Sequence, residues 1–358
     1  MIPYSRRGLL GGAAALTSAP LIGFSNPAPR APPAQPQTAA TPAKPAPTPP
    51  SSQPAKIQVP SELMLYCAVR LTFANSAGTG FIYPFFNNNG RCYYGIVSNR
   101  HVFEIEPDAC KSIFSDECQF YDEGYFSLTL QKPDGTPDTG NVTAIHMTNI
   151  RKRIILHPTV DLVVYFITDV INQLVENKTP PYIVPITPDI IPHAKQWADF
   201  TPLEDIVTVG HPGFLWDNVN VLPLFHSGRT ASPVYIDFQG RKEFLVDTAT
   251  WPGASGSPVF IYNQGTVFDP RTRNVTFGER VYFVGVVYGV GRQEVDGSVV
   301  IVNAPTHAIS QTPFTSAVAI PTNLGACIRS TRILEFEPVM AKLGMPVPAG
   351  YVMRDAAS

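Results

Sequence analysis

The sequence predicts an all-β fold, and three observations predict it. Proline is abundant, at 37 residues against 26 glycines. The apolar runs are short, and they are rich in valine, isoleucine, phenylalanine and tyrosine, which suit a pleated, half-buried surface. Turn signals separate the runs, as they do in barrels and sandwiches. With 358 residues and 44% hydrophobic content, the chain can bury one large core or two modest ones. Charged residues make up 15% and the formal net charge is −2. That balance carries no electrostatic footprint of nucleic-acid binding and does not favour an anionic membrane.

The clearest strands are Leu65–Phe73, Gly80–Phe86 and Arg91–Ser98, with Asn87-Asn88-Asn89-Gly90 as the hairpin turn between the last two. Further strands are expected at Tyr125–Gln131, Val142–His146, Leu162–Ile167, Ile206–Gly210, Val234–Phe238, Phe244–Asp247, Pro258–Tyr262, Val281–Tyr288 and Val299–Val302. Helical spacing is confined to Ile171–Lys178, Asn323–Arg332 and Glu335–Leu343. No internal repeat is evident.

The first residues, Ser5-Arg6-Arg7-Gly8-Leu9-Leu10, lead into a Gly/Ala-rich apolar run ending near Phe24. The run is too short and too weakly apolar for a membrane span, so residues 1–26 read as an export signal. The paired arginines resemble a twin-arginine leader, with Leu9 where phenylalanine is usual. An exported, periplasmic or secreted protein is therefore expected, touching a membrane only through an uncleaved leader. Residues 27–60 are nearly all Pro, Ala, Thr, Ser and Gln and read as a disordered linker, because they cannot bury enough surface to offset the entropy of ordering. The five cysteines, Cys67, Cys92, Cys110, Cys118 and Cys327, include no pair at zinc spacing, so neither metal nor cofactor is expected. In an oxidising compartment Cys110 and Cys118 would close a short loop; five reduced thiols is the alternative.

Three segments carry chemistry. Trp251-Pro252-Gly253-Ala254-Ser255-Gly256-Ser257-Pro258 sets a serine between glycines just ahead of an apolar strand. A nucleophilic serine needs such a tight turn, with nearby N–H groups aimed at a developing oxyanion; Gly253 and Ser255 are the expected donors. In Ile96-Val97-Ser98-Asn99-Arg100-His101-Val102-Phe103 a strand ends at a histidine suited to be general base, imidazole titrating near 6.5. In His157-Pro158-Thr159-Val160-Asp161-Leu162-Val163-Val164 an aspartate stands at the mouth of an apolar strand, where a buried carboxylate demands a hydrogen-bond partner. His157 is a rival base. Each segment alone also reads as an ordinary turn.

Together the three resemble the trypsin-like serine peptidases, and among them the bacterial envelope proteases of the high-temperature-requirement type. The resemblance rests on Ser98–Val102, Asp161–Val164 and Asp247–Pro258 in the order His, Asp, Ser, with lesser likeness at Gly78-Thr79-Gly80-Phe81-Ile82 and Ala317–Pro321. It implies a chymotrypsin-like fold of two packed antiparallel six-stranded β-barrels with a short C-terminal helix. The barrels would cover residues 61–180 and 181–322, and helix and tail would cover 323–358. His101, Asp161 and Ser255 would form the catalytic triad of a serine endopeptidase acting on a polypeptide substrate through an acyl-enzyme. Val286, Val287 and Tyr288 would pair with the substrate, and Ala249 would lie at the floor of the primary specificity pocket, excluding lysine and arginine at P1. Ala254 and Ser257 depart from the usual Asn or Asp and Gly, and no hydroxyl-bearing small residue stands near Val286 to support the aspartate. The insert Glu104–Gly124 reads as a surface loop or a rim of the cleft. About 37 residues follow Pro321, too few for the peptide-binding C-terminal domain of many such proteases. Two other readings remain open: a catalytically silent trypsin-like domain binding envelope peptides or proteins, and a structural all-β envelope protein. Oligomeric state is not legible.

Overall fold

The structure is a computed structural model describing residues 59–88, 91–105, 118–213, 215–251, 253–269, 271–298 and 315–354. The expected leader, most of the linker, Cys110 and the strand Val299–Val302 lie outside the described residues.

In chain order the strands are β1 (Ala68–Thr72), β2 (Ala77–Asn88), β3 (Arg91–Ser98), β4 (Glu123–Gln131), β5 (Pro137–Thr148), β6 (Ile154–Leu156) and β7 (Val163–Phe166). They are followed by β8 (Asp205–Gly210), β9 (Leu224–Thr230), β10 (Glu243–Asp247), β11 (Pro258–Asp269), β12 (Asn274–Ser298) and β13 (Thr315–Arg329). The helices are short: α1 (Pro60–Met64), α2 (Ile150–Arg153), α3 (Thr168–Glu176), α4 (Ala194–Asp199), α5 (Thr331–Leu334) and α6 (Phe336–Lys342). Strands β1–β7 form a seven-stranded antiparallel sheet in the order β5-β4-β1-β2-β3-β7-β6, and β8–β13 close into a six-stranded barrel in the order β10-β13-β12-β11-β8-β9. The expected all-β chymotrypsin-like architecture is present. Its first half has seven strands because Ile154–Leu156, too short to read from sequence, pairs with β7.

Strands next to the site are apolar on both faces because both faces are buried. In β3, Ile96 points into the core of the first sheet while Val97 joins the core shared with the second barrel; Val163 and Val164 of β7 divide the same way. The shared core is aromatic, with Phe81 of β2 meeting Phe283 of β12 edge-on at 5.2 Å between ring centroids.

Two expected elements are corrected. Val234–Phe238 is turn, not strand: Ile236 N–H donates to the Pro233 carbonyl, and the segment drops Val234 into the second core while leaving Ile236 exposed. The strand at that point in the barrel is β9, Leu224-Phe225-His226-Ser227-Gly228-Arg229-Thr230, whose polar side chains hide it from an apolar pattern. Asn323–Arg332 is not a helix. β13 continues through Arg329, paired with β10 on one side and β12 on the other, and only Thr331–Leu334 turns helical. Pairing on both edges overrides the local apolar spacing.

Candidate active site

Strand β3 ends at Ser98, and Arg100–Val102 make a single 3-10 turn that presents His101. The turn is pinned from below. Ser98 Oγ donates to the Thr79 carbonyl at 2.6 Å, Asn99 Nδ2 donates to the Asp161 carbonyl at 2.8 Å, and Arg100 pairs in a buried setting with Glu104 at 2.6 Å. Asp161 closes the turn from the other side. Its Oδ1 accepts the His101 backbone N–H at 3.1 Å and its Oδ2 lies 2.6 Å from His101 Nδ1. A carboxylate at that distance places the ring proton on Nδ1 and turns the lone pair of Nε2 outward. The His101 and Asp161 side chains keep 30% and 20% of their exposure, so the pair is at a surface cleft and not sealed in the core.

Ser255 sits on a double turn. Ala254 N–H donates to the Trp251 carbonyl and Ser257 N–H to the Ala254 carbonyl, both at 2.9 Å, while Gly253 and Gly256 take φ of +95° and +87°. Both angles belong to the left-handed region that glycine enters without strain. Gly256 has a second reason to be glycine: a Cβ there would fall 1.9 Å from the Thr79 carbonyl oxygen. Thr79 of β2 holds the turn through three groups. Its N–H donates to the Ser255 carbonyl at 2.9 Å, its Oγ1 donates to the Gly253 carbonyl at 3.1 Å, and its carbonyl receives Ser98 Oγ. His211 N–H in turn donates to Thr79 Oγ1 at 2.9 Å. Neighbouring Gly78 fits between Val102, which follows His101, and the Ser255 carbonyl. The structure thus brings His101 and Asp161 into contact and sets the Ser255 turn across Gly78–Thr79 from them. Among the described residues, the N–H groups of Gly253 and Ser255 have no hydrogen-bond partner.

Val286 and Val287 are not an open strand edge. Val286 pairs with Pro258 and Ile328 on its two sides, and Val287 exchanges hydrogen bonds with Gly256 and Ser257 while pairing with Cys327. Both side chains are buried. Tyr288 falls at the register shift between Val287 and Gly289, and at Gly289 and Val290 the pairing among the described residues is with β13 only. Tyr288 does not support Asp161 either. Its hydroxyl donates to Glu243 at 2.7 Å, and burial, then that carboxylate, push the phenol pKa up; the His101 N–H fills the role. Ala249 is exposed, whereas Thr250 is buried with Oγ1 against Gly325.

The rivals are disposed of by their surroundings. His157 has a fully buried side chain whose Nδ1 accepts two backbone N–H groups. His211 is held neutral, its pKa lowered to about 3 by burial and by the Arg70 guanidinium. Burial pushes the Cys67 thiol up to about 12 and Cys327 also up, so neither is a nucleophile. Cys118 is disulfide-bonded, and Cys67, Cys92 and Cys327 are free. A cavity of about 540 Å³ is lined in part by Asp161, Val160, Tyr288, Glu243 and Arg332; a second, of about 560 Å³, lies against Phe200, Glu204 and Arg280, away from these residues. Among the described residues no His/Cys/Asp/Glu cluster could hold a metal. Sequence reasoning gave Thr79 no role; its signal was the Gly-Thr-Gly of β2.

The model of the trypsin-like peptidase domain family matches residues 78–268, more than half of the chain. The chain belongs to that family. The match takes in both the His101 and Ser255 turns of this trypsin-like peptidase domain. No curated protein matches. Among the similar solved structures are two of the inactive form of the Rv3671c protease: a Ser343Ala mutant from M. tuberculosis H37Rv at 12% identity and TM-score 0.33, and a second at 14% and 0.35. Each comparison covers 80% of this chain and 92% of the other.

Proposed function

We propose that this trypsin-like peptidase domain is a serine endopeptidase with His101, Asp161 and Ser255 as its triad. The observation that carries the reading is the His101 Nδ1 to Asp161 Oδ2 contact of 2.6 Å, reinforced by the carboxylate's second bond to the His101 N–H. In the proposed mechanism His101 Nε2 takes the Ser255 hydroxyl proton as Oγ attacks the scissile carbonyl, and Asp161 stabilises the imidazolium that forms. The Gly253 and Ser255 N–H groups bind the tetrahedral oxyanion. The imidazolium then protonates the leaving amine, and water, activated by the same base, hydrolyses the acyl-enzyme.

The substrate is an extended polypeptide laid against Tyr288–Val290, and the uncharged Ala249 and Thr250 favour small or medium apolar P1 side chains. The chain acts after export, in the manner of the high-temperature-requirement type, its linker spacing the domain from the envelope. Labelling with a fluorophosphonate probe tests the reading. The parent reacts, while Ser255→Ala does not and loses on the order of 10⁴-fold or more in kcat. A parent that binds peptide but takes no label is the silent binding module instead.

A further inference from the structure

His157 stands four residues before Asp161 and takes no part in the chemistry above, yet it is built into the structure more thoroughly than a core histidine needs to be. Its side chain is fully buried. Thr159 N–H and Val160 N–H both donate to its Nδ1 at 3.2 Å, so the chain from 157 to 160 wraps around the ring. The turn is closed by His157 N–H on the Leu162 carbonyl at 2.9 Å and by Leu162 N–H on the Val160 carbonyl at 2.8 Å. Two donors on Nδ1 leave the ring proton on Nε2, which lies 3.4 Å from Glu335 Oε2. The ring meets Phe336 edge-on at 5.1 Å. Arg332 Nη1 donates to Glu335 Oε1 at 2.8 Å, and Arg332 Nη2 donates to Thr159 Oγ1 on the same turn. Burial pushes the Glu335 carboxyl up, but His157 and Arg332 outweigh it and hold it below the ordinary range.

We infer that His157 is a positioning residue for the triad: its Nδ1 shapes the turn that delivers the Asp161 carboxylate to His101, and the α5–α6 segment braces the ring through Glu335 and Arg332. The inference rests on the proposed peptidase reading for its kinetic consequences but not for its geometry. A ring that only filled space would be replaceable by an apolar side chain of similar volume. A ring that shapes the turn is replaceable only by an acceptor in the Nδ1 position.

Two polar isosteres separate these cases. The Oδ1 of His157→Asn reaches the Nδ1 position and can accept the Thr159 and Val160 N–H groups as an Asx turn, whereas the amide of His157→Gln reaches only the Nε2 position. His157→Leu and His157→Gln are expected to lower kcat by about 10- to 100-fold with KM within about twofold, the cost of a carboxylate displaced by around an ångström. His157→Asn is expected to recover to within about threefold of the parent. Independently of turnover, the low-field proton resonance of the His101 Nδ1–H to Asp161 bond, assigned by its loss in His101→Ala, is retained in His157→Asn and lost or moved upfield in the other two. Thermal unfolding followed by circular dichroism confirms that all variants fold. The inference is overturned if His157→Leu keeps the parental kcat and resonance, or if His157→Gln restores them as well as His157→Asn. A parent that is inert to fluorophosphonate would sink the peptidase reading alone, because the resonance still reports where Asp161 is held.

Discussion

His211 makes the stability of this domain depend on pH in a way that can be worked out beforehand. The ring is buried at 2% exposure, a ring N–H donates to the Ala68 carbonyl, and Nε2 has no partner among the described residues. Burial first, and the Arg70 guanidinium second, lower its pKa from 6.5 to about 3. In the unfolded chain the same ring titrates near 6.5, so between pH 6.5 and 3 the unfolded state binds a proton that the folded state refuses. Stability is therefore complete above pH 6.5 and falls with acid across that window, by up to about 1.36 kcal/mol per pH unit. From 6.5 down to about 3 the loss amounts to roughly 4–5 kcal/mol, a large part of a 5–15 kcal/mol margin. The consequence reaches the Ser255 turn, because His211 N–H supports Thr79 Oγ1 and a Cβ on Gly253 would lie 2.9 Å from the His211 carbonyl oxygen. His211→Asn keeps a donor of similar reach to Ala68 and removes the titration. Urea unfolding at pH 6.5 and 4.5 should show the parent losing about 2–3 kcal/mol more than the variant. Equal losses would refute the claim that this ring stays neutral in the fold.

Three further outcomes follow from the same geometry. Gly256→Ala adds a Cβ 1.9 Å from the Thr79 carbonyl oxygen at φ +87°; it should destabilise by about 2 kcal/mol or more and abolish fluorophosphonate labelling. Thr79→Val leaves the Gly253 carbonyl and the His211 N–H without their hydroxyl partner, which costs about 1–3 kcal/mol and lowers kcat more than it changes KM, while Thr79→Ser retains both. Proline in place of Val290 should raise KM for extended peptides while fluorophosphonate labelling stays parental, since its fixed φ and ring disturb the strand geometry of the proposed substrate edge and leave the Ser255 turn alone; unchanged KM would move the peptide elsewhere.

What the sequence made legible was local. The His101 turn, the Asp161 strand mouth and the Gly253–Ser257 turn each declare themselves within eight residues, because the chemistry they need is a property of a short backbone segment. β3 is legible to the residue, since alternation between two cores still reads as an apolar run. Residues whose role depends on distant partners stayed hidden. Thr79 looks like part of an ordinary strand until its three bonds to Ser98, Gly253 and Ser255 are seen. His157 reads as a competing base until its side chain is found fully buried with Nδ1 accepting two backbone N–H groups, and β9 has no apolar stripe because only Thr230 of its seven residues is buried. Val286 and Val287 have the composition of a substrate strand, but whether an edge is open is decided by its neighbours.

The hold of Thr79 on both turns gives the cleft a common ruler. The proposed base and nucleophile are spaced by one residue of one strand, so their separation is indifferent to the lengths of the loops that close the rest of the molecule. Loop insertions can reshape what reaches the cleft without detuning it. The converse is a brittle failure: slippage of β2 by one residue would release both partners together. Inactivation on heating should then coincide with loss of the first sheet, with no earlier stage in which a folded domain has merely drifted out of alignment.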